Sequence, residues 1–185
     1  MRSAIGTHPK SKGIMAAGGY TVAGIDYTLA PAARHPTPTR QANAALAFLL
    51  GRAEEFNIDP ERIFLAGDSA GSHISAQLGL AITDPAYAGA LGITASIKPA
   101  ALRGIILHCG IYDPTLLNAG GAMAGFLKTV SWSYLGTKDV SGPDVPPQFS
   151  IIANMNASMP PLFITAGNAD PLLPHSMALA GKAVS

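Results

Sequence analysis

Ser69 lies between two glycines at the end of an apolar run, in the segment FLAGDSAGSHISAQLGL. The pattern Gly67-Asp68-Ser69-Ala70-Gly71 is that of a serine on a sharp turn from a strand into a helix. Glycines on either side would let neighbouring backbone pass without a Cβ clash. The hydroxyl would stand at a helix N-terminus, where free N–H groups, that of Ala70 included, stabilise an oxyanion. The pattern predicts a nucleophilic serine; the alternative is a glycine-rich turn with a passive serine.

Asp170 is a second candidate site residue. It follows the apolar segment PPLFITAG and stands beside Pro171, where a strand is predicted to turn into a helix. In parallel α/β sheets, functional side chains gather at the carboxyl ends of the strands. The alternative is that Asp170 caps the following helix, since aspartate is favoured at helix N-caps.

A nucleophilic serine also needs a general base that takes its proton and later returns it, most often a histidine. His73 lies one helical turn after Ser69 and is interpreted as a packing or supporting residue. His108, at the end of a predicted strand, could approach the site but precedes Asp170 in the chain. The other histidines are interpreted as structural or, at the N-terminus, mobile: His35, His175 and His8. None of the five is predicted to be the base.

Hydrophobic patterning predicts alternating strands and helices. The predicted strands are Gly19–Tyr27, RIFLAG, LRGIILHCG and PPLFITAG, and the predicted helices are Thr39–Phe56, Ala70–Ile82, GAMAGFLKTVSWSYLG and DPLLPHSMALAGKA. This alternation indicates an α/β fold, with a mostly parallel sheet flanked by helices. We expect one domain over residues 1–185, with residues 114–155 forming a helical insertion close to a cap.

Composition limits the possible functions. A net charge of +1 without a basic run argues against a nucleic-acid surface, and no apolar run is long enough for a membrane span. Cys109 is the one cysteine, so an internal disulfide is excluded and a cysteine zinc site is disfavoured. No HExxH, P-loop or post-strand GxGxxG occurs, so neither a metal nor an organic cofactor is indicated. No signal-peptide pattern is seen, and a cytoplasmic location is the expectation.

Four ordered segments carry a resemblance to a known family. GDSAG resembles the nucleophile motif of the hormone-sensitive-lipase-like esterases, which have the α/β-hydrolase fold. GYTVAGIDYTLAP resembles that family's strand and D-Y-x-L-A-P turn, and YLG at Tyr134–Gly136 resembles a motif that precedes its acid strand. PPLFITAGNADPLLPHSMALAGKA resembles the strand and loop that carry the family's acid. The resemblance extends over roughly Gly18–Ala183.

The resemblance implies a carboxylic ester hydrolase acting on small esters of short to medium acyl chains. Ser69 would be its nucleophile and Asp170 its triad acid, in the order that the α/β-hydrolase fold requires. Gly67, Asp68 and Gly71 would complete the turn that carries the serine, called the nucleophile elbow. The elbow alone would also allow a serine peptidase or a thioesterase on the same fold, although the segments Tyr27–Pro31 and around Asp170 favour the esterase branch.

Two parts of the family pattern are not evident in the sequence. The first is the His-Gly-Gly oxyanion loop with the strand before it, which should lie in the sheet between the GYTVAGIDY strand and the elbow strand. The second is a final strand followed by a histidine loop. We therefore expect a chain truncated at both ends and nearly inactive, or a degenerate homologue whose first residues fill the gap in the sheet.

Two further alternatives remain open at the level of sequence. One is a non-catalytic, receptor-like protein that binds a ligand on the same scaffold. The other concerns Trp132 and Tyr134, which are predicted to be core residues of a helix, with a place beside the acyl pocket as the alternative. The sequence predicts neither the natural substrate nor an oligomeric state.

Overall fold

The computed structural model describes residues 2–5, 9–118, 124–140 and 142–184. Within these residues, five strands form one sheet in the order β2-β1-β3-β4-β5. Every pair of neighbouring strands is parallel, which confirms the predicted sheet. The strands are β1 (Arg2–Ile5), β2 (Tyr20–Ala23), β3 (Ile63–Asp68), β4 (Leu102–His108) and β5 (Leu162–Thr165).

Helices connect the strands and cover the sheet. They are α1 (Pro9–Ala17), α2 (Thr37–Leu50), α3 (Ala70–Thr83), α4 (Pro85–Leu91), α5 (Ala124–Leu135), α6 (Ile151–Asn154) and α7 (Leu173–Ala183). The four predicted helices correspond to α2, α3, α5 and α7; the first residues predicted for α5, 121–123, lie outside the described residues. The three others, α1, α4 and α6, were not predicted.

The strand expected to be missing from the middle of the sheet is present as β1. Its residues pair with β2 on one side, Arg2 opposite Tyr20, and with β3 on the other, Ile5 opposite Leu65. The first residues of the chain therefore fill the gap in the sheet, as the alternative expected. The prediction that this strand is missing was wrong because a four-residue strand with two polar residues shows no readable hydrophobic period. With β1 in place, the edge of β2 and the edge of β3 that face it are paired.

The first long strand is shorter than predicted. It was expected to reach Tyr27, but β2 ends at Ala23. Ala23 is the register partner of Ile5, the last residue of β1. The chain continues from Ala23 without regular secondary structure as far as residue 29.

The helix that follows the elbow, α3, is the centre of the core. Eleven of its fourteen residues are buried, which is typical of a helix enclosed on all sides. A Cβ on Gly79 would lie 2.3 Å from Ile105 Cδ1 of β4, so a larger residue there would require the end of the Ile105 side chain to move. On the opposite face of the sheet, Met15 of α1 lies with Tyr20 and Phe64. Helices therefore flank both faces, as predicted.

The segment between β4 and β5 contains α5, α6 and the short 3-10 helices Pro114–Asn118 and Pro147–Phe149. A small second cluster, with Leu117, Val140 and Phe149 buried at its centre, lies beneath α5. The expectation that residues 114–155 form an insertion close to a cap stays a prediction. No helix in the described residues is long and apolar enough to cross a membrane.

Candidate active site

Ser69 occupies the junction between β3 and α3 in a backbone conformation that non-glycine residues rarely adopt. Its φ is 54° and its ψ is −116°, and its side chain is exposed. Such a conformation costs of order 1–3 kcal/mol and persists only when the surroundings enforce it. The junction places the serine as the sequence predicts, on a strained turn at the N-terminus of a long helix.

Gly67 and Gly71, the two glycines of the elbow, play different parts. A Cβ on Gly67 would lie 2.1 Å from the carbonyl carbon and oxygen of Gly71 and 2.4 Å from the Ser72 nitrogen. A Cβ on Gly71 would meet nothing within 4 Å. The prediction that glycine is needed to let the backbone pass is therefore confirmed at Gly67 and wrong at Gly71.

Ser72 ties the elbow to β4, and sequence reasoning did not single it out. Its fully buried hydroxyl lies 2.7 Å from the carbonyl oxygens of both Gly67 and His108, and it accepts the His108 N–H at 2.8 Å. The Ser69 N–H donates to the same His108 carbonyl at 2.9 Å. These bonds hold the elbow against the end of β4. The only sequence signal was a serine three residues into a predicted helix.

Asp170 lies in the loop between β5 and α7, on the same edge of the sheet as Ser69. Its Oδ1 accepts the Leu172 N–H at 2.7 Å, and its side chain is half-buried. The N-cap of α7 is Leu172 rather than Asp170, so the N-cap alternative is wrong in detail. Asp170 nevertheless orders the turn that leads into the helix.

Cys109 links the serine side of the site to the acid side. The residue follows β4 with a φ of 40°, and its Sγ donates to Asp68 Oδ1 at 3.2 Å. Burial, together with the Asp68 and Asp170 carboxylates that both contact the thiol, raises the pKa of Cys109 to about 12. Asp68, next to the candidate nucleophile, and Asp170 therefore lie within reach of a single side chain.

A cavity of about 280 Å³ opens beside the elbow. Ala70, whose N–H is the predicted oxyanion donor, forms part of its wall. The first N–H groups of a helix have no partner inside the helix, so the Ala70 N–H is available to an anion there. Most of the remaining wall comes from the loop after β2, from α3 and from α5. It is mostly apolar, with Leu29, Ile74 and Val130 among its residues.

The two aromatic residues of α5 occupy different places. Tyr134 is half-buried and lines the cavity, so its position agrees with the acyl-pocket alternative. Trp132 is 43% exposed, with Lys138 Nζ 4.7 Å from its ring centroid. The prediction that Trp132 is a core residue was therefore wrong. Because α5 covers the core with one face only, residues two positions apart lie on different faces.

His73, on α3, is buried, with 4% of its surface exposed. Its Nδ1 lies 2.7 Å from the Ile111 carbonyl oxygen, so Nδ1 carries the hydrogen and Nε2 is the acceptor. The ring packs 4.5 Å, between centroids, from Phe149. Burial lowers the pKa of His73 to about 4, so the imidazole is neutral at physiological pH.

The other described histidines also form contacts away from the serine. His35 Nε2 lies 2.9 Å from Gln77 Nε2, and His108 Nδ1 lies 2.5 Å from Thr165 Oγ1. His175 Nδ1 accepts the Tyr112 N–H at 3.2 Å. In the part of the chain that the structure describes, no histidine side chain hydrogen-bonds Ser69 or Asp170. His8 lies outside the described residues.

The geometry described so far is that of a strained serine elbow with an aspartate and an apolar cavity close by. The family described as BD-FAE, an esterase-like α/β-hydrolase family, matches residues 3–182 of the chain. The chain belongs to the BD-FAE family.

Solved structures of esterases share the fold of this BD-FAE member. The carboxylesterase Cest-2923 of Lactobacillus plantarum WCFS1 superposes with a TM-score of 0.77 at 16% identity, over 99% of this chain and 66% of its own. Esterase B of Lactobacillus rhamnosis HN001 superposes with a TM-score of 0.78 at 19% identity, over 97% of this chain and 59% of its own. A hyperthermophilic esterase from the archaeon Pyrobaculum calidifontis superposes with a TM-score of 0.78 at 15% identity, over 100% of this chain and 63% of its own.

These comparisons confirm the α/β-hydrolase fold and the resemblance to hormone-sensitive-lipase-like esterases. The BD-FAE chain spans about 59–66% of the length of these three esterase chains. Its described residues contain no group of three or more histidine, cysteine or acidic side chains placed to hold a metal ion.

Proposed function

We propose that this BD-FAE chain provides the nucleophile and the acid of a carboxylic ester hydrolase acting on small esters with short to medium acyl chains. Ser69 is the nucleophile, Asp170 is the triad acid and the Ala70 N–H is an oxyanion donor. The observation that carries the proposal is the strained backbone of Ser69, with Gly67 packed against Gly71 beneath it. Strain of this kind persists at functional sites because the surrounding structure enforces it.

The chemistry follows from these positions. Ser69 Oγ attacks the ester carbonyl, and the negative charge that develops on the carbonyl oxygen is stabilised by the Ala70 N–H. The alcohol leaves with a proton, and the acyl group stays on Ser69. Water then attacks the acyl-enzyme, the carboxylic acid departs and the serine recovers its proton. The cavity beside Ala70 supports this assignment because an acyl group joined to Ser69 would extend into it.

The proton transfers need a general base, and the rate of the reaction therefore depends on whether a histidine side chain reaches Ser69. His35, His73, His108 and His175 all form contacts away from Ser69. The triad acid orients a histidine when one is present. We expect the 185-residue chain to turn over esters very slowly, since a serine without its base is a weak nucleophile.

The test is hydrolysis of p-nitrophenyl butyrate with and without added imidazole, which can act as an external base. We expect a low rate that imidazole raises more in the native chain than in Ser69→Ala, the control that also corrects for hydrolysis by imidazole in solution. A fluorophosphonate probe should label the native chain slowly and the variant not at all, as measured by intact mass. Equal rates and equal labelling in the two proteins would refute Ser69 as the nucleophile.

A non-catalytic, receptor-like protein is the second candidate function. The observation in its favour is that no imidazole of a described histidine hydrogen-bonds Ser69 or Asp170. In that case a carboxylate such as butyrate would bind in the cavity with the same affinity in the native chain and in Ser69→Ala. Imidazole would then produce no hydrolysis that depends on Ser69. A cytoplasmic location remains a prediction from the sequence.

A further inference from the structure

Three buried polar atoms on residues that line the cavity beside the elbow form no hydrogen bond of ordinary geometry. They are His73 Nε2, on α3, and Ser131 Oγ and Tyr134 Oη, on α5. The Tyr134 hydroxyl lies against the Thr39 side chain, which can accept its hydrogen, and this leaves His73 Nε2 and Ser131 Oγ. The two residues are 4% and 3% exposed, and both line the cavity. A buried polar atom without a partner costs about 1–3 kcal/mol, so two in one small cavity form a feature that calls for an explanation.

The chemistry of the two atoms is complementary. Because Nδ1 of His73 donates to the Ile111 carbonyl, Nε2 can only accept a hydrogen bond. The Ser131 hydroxyl can donate one. A single hydroxyl group on a ligand can give its hydrogen to His73 and accept the hydrogen of Ser131, whereas an alkyl chain can satisfy neither atom.

We propose that the cavity binds an acyl group that carries a hydroxyl, held between His73 Nε2 and Ser131 Oγ. The ligand class is a hydroxyalkanoic acid or its ester, rather than the plain alkanoic equivalent. This deepens the proposed function, on which it rests for the identity of the cavity as an acyl site. A neutral His73 is consistent with the accepting role, since burial lowers its pKa to about 4.

The lining of the cavity also fits an acyl group that carries one polar group on a mostly apolar carbon chain. Leu29, Ile74 and Val130 offer apolar contacts, while Ala70 marks the end nearest the candidate nucleophile. A group that satisfies both polar atoms gains about one ordinary hydrogen bond over an alkyl group, or roughly five- to tenfold in affinity.

The test uses binding rather than turnover, with hexanoate and 4-, 5- and 6-hydroxyhexanoate as probes, titrated by NMR near neutral pH. We expect at least one hydroxyhexanoate to bind about five- to tenfold more tightly than hexanoate. It should also move the ¹⁵N resonance of His73 Nε2 upfield, in the direction of an accepted hydrogen bond, which hexanoate should not do. Equal binding of all four acids would overturn the proposal.

Ser131→Ala should reduce the preference to less than about twofold and leave hexanoate binding nearly unchanged. His73→Phe should do the same if it folds, and the serine variant keeps the test valid if it does not. The matched control is Ser176→Ala, which removes another buried and unpartnered hydroxyl, on α7 and outside the cavity wall. A preference that survives Ser131→Ala, or that is lost in Ser176→Ala, would contradict the proposal.

The outcomes separate this proposal from the proposed function. Phosphonate labelling at Ser69 without any hydroxyl preference would keep the esterase proposal and overturn the hydroxyacyl site. A preference without labelling would keep the ligand site and favour the receptor-like alternative.

Discussion

Ser69 and Asp170 both follow a parallel strand, yet the backbone around the serine is packed far more tightly than the backbone around the aspartate. A Cβ on Gly67, two residues before Ser69, would lie 2.1 Å from Gly71 backbone atoms. A Cβ on Gly167, three residues before Asp170, would lie 3.9 Å from its nearest neighbour, the Asp170 Cβ. The first separation is impossible for real atoms, and the second is an ordinary contact.

The hydrogen bonds show the same difference. The elbow is tied to β4 through the buried Ser72 hydroxyl and the Ser69 N–H. The acid loop is ordered by the bond from Leu172 N–H to Asp170 and by the contact with Cys109. Backbone sterics thus fix the serine, whereas a few side-chain contacts fix the aspartate. Substitutions should affect the stability of the two regions to different extents.

The largest expected effect is that of Gly67→Ala. The new methyl group would overlap backbone atoms of Gly71 and Ser72, which are not free to move aside as a side chain would. We expect the free energy of unfolding to fall by about 3 kcal/mol or more, or folding to fail, as measured by urea denaturation. Gly167→Ala is the matched control and should change stability by less than about 1 kcal/mol. Similar losses of stability in the two variants would refute the difference in backbone packing between the serine and the aspartate regions.

Ser72→Ala should come next. It removes the fully buried hydroxyl that connects Gly67 with His108, and it leaves the His108 N–H and two carbonyl oxygens without that partner. We expect a loss of about 2–3 kcal/mol in urea denaturation. Ser176→Ala, at a buried serine whose hydroxyl has no partner, should cost less than about 0.5 kcal/mol. An equal cost at the two serines would show that Ser72 does not fasten the elbow.

The same difference explains what sequence could predict. The elbow depends on local sterics, so the spacing Gly67-x-Ser69-x-Gly71 was enough to place a strained serine at a strand-to-helix junction. Even there, the pattern did not distinguish the necessary Gly67 from the replaceable Gly71. Asp170 could be placed on the right edge of the sheet, but its contact with Cys109 depends on β4 and β5 being neighbours.

Elements that owe their position to distant partners were the hardest to predict. β1 forms because β2 and β3 pair with both of its edges, and nothing within its four residues shows this. The two polar positions in the mostly apolar cavity wall were equally hard to predict, because His73 and Ser131 lie on helices far apart in the chain. By contrast, the sequence around α4 carries local helix signals. Asp84 is the N-cap, Pro85 is the first residue of the helix, and Gly92 ends it in the left-handed conformation.

Acidic pH should destabilise both the serine side and the acid side of the site, because each side contains a buried histidine that is neutral in the folded protein. Burial lowers the pKa of His35, His73 and His175 to about 4. Arg40 adds to this effect at His35, whereas Asp113 opposes it at His175. The unfolded chain, with histidine pKa values near 6.5, binds these protons first, so stability is present above pH 6.5 and is lost as the pH falls towards 4.

For His73 alone, the expected loss between neutral pH and pH 5.5 is about 1 kcal/mol. Urea denaturation at a series of pH values measures it. His73→Gln on the elbow side and His175→Gln on the acid side should each flatten the profile over this range, because each removes one proton taken up on unfolding. A profile that stays as steep in both variants would mean that these histidines are not the source.

The smallest effect concerns Cys109, the thiol shared by the two halves. Its pKa is raised to about 12 by burial and by the carboxylates of Asp68 and Asp170. Replacing either carboxylate with an amide removes a negative charge beside the thiolate, so the pKa should fall. Asp68→Asn should lower it more than Asp170→Asn, because Asp68 accepts the thiol hydrogen bond at 3.2 Å.

Since Cys109 is the only cysteine, its rate of alkylation by iodoacetamide at mildly alkaline pH reports on this one site. The rate should rise in the order native, Asp170→Asn, Asp68→Asn. Asp59→Asn, whose carboxylate bonds only the nearby Glu61 N–H, should match the native rate. If Asp170→Asn also matched it, the acid loop would not reach the thiol in solution, and the serine and acid sides of the site would be mechanically independent.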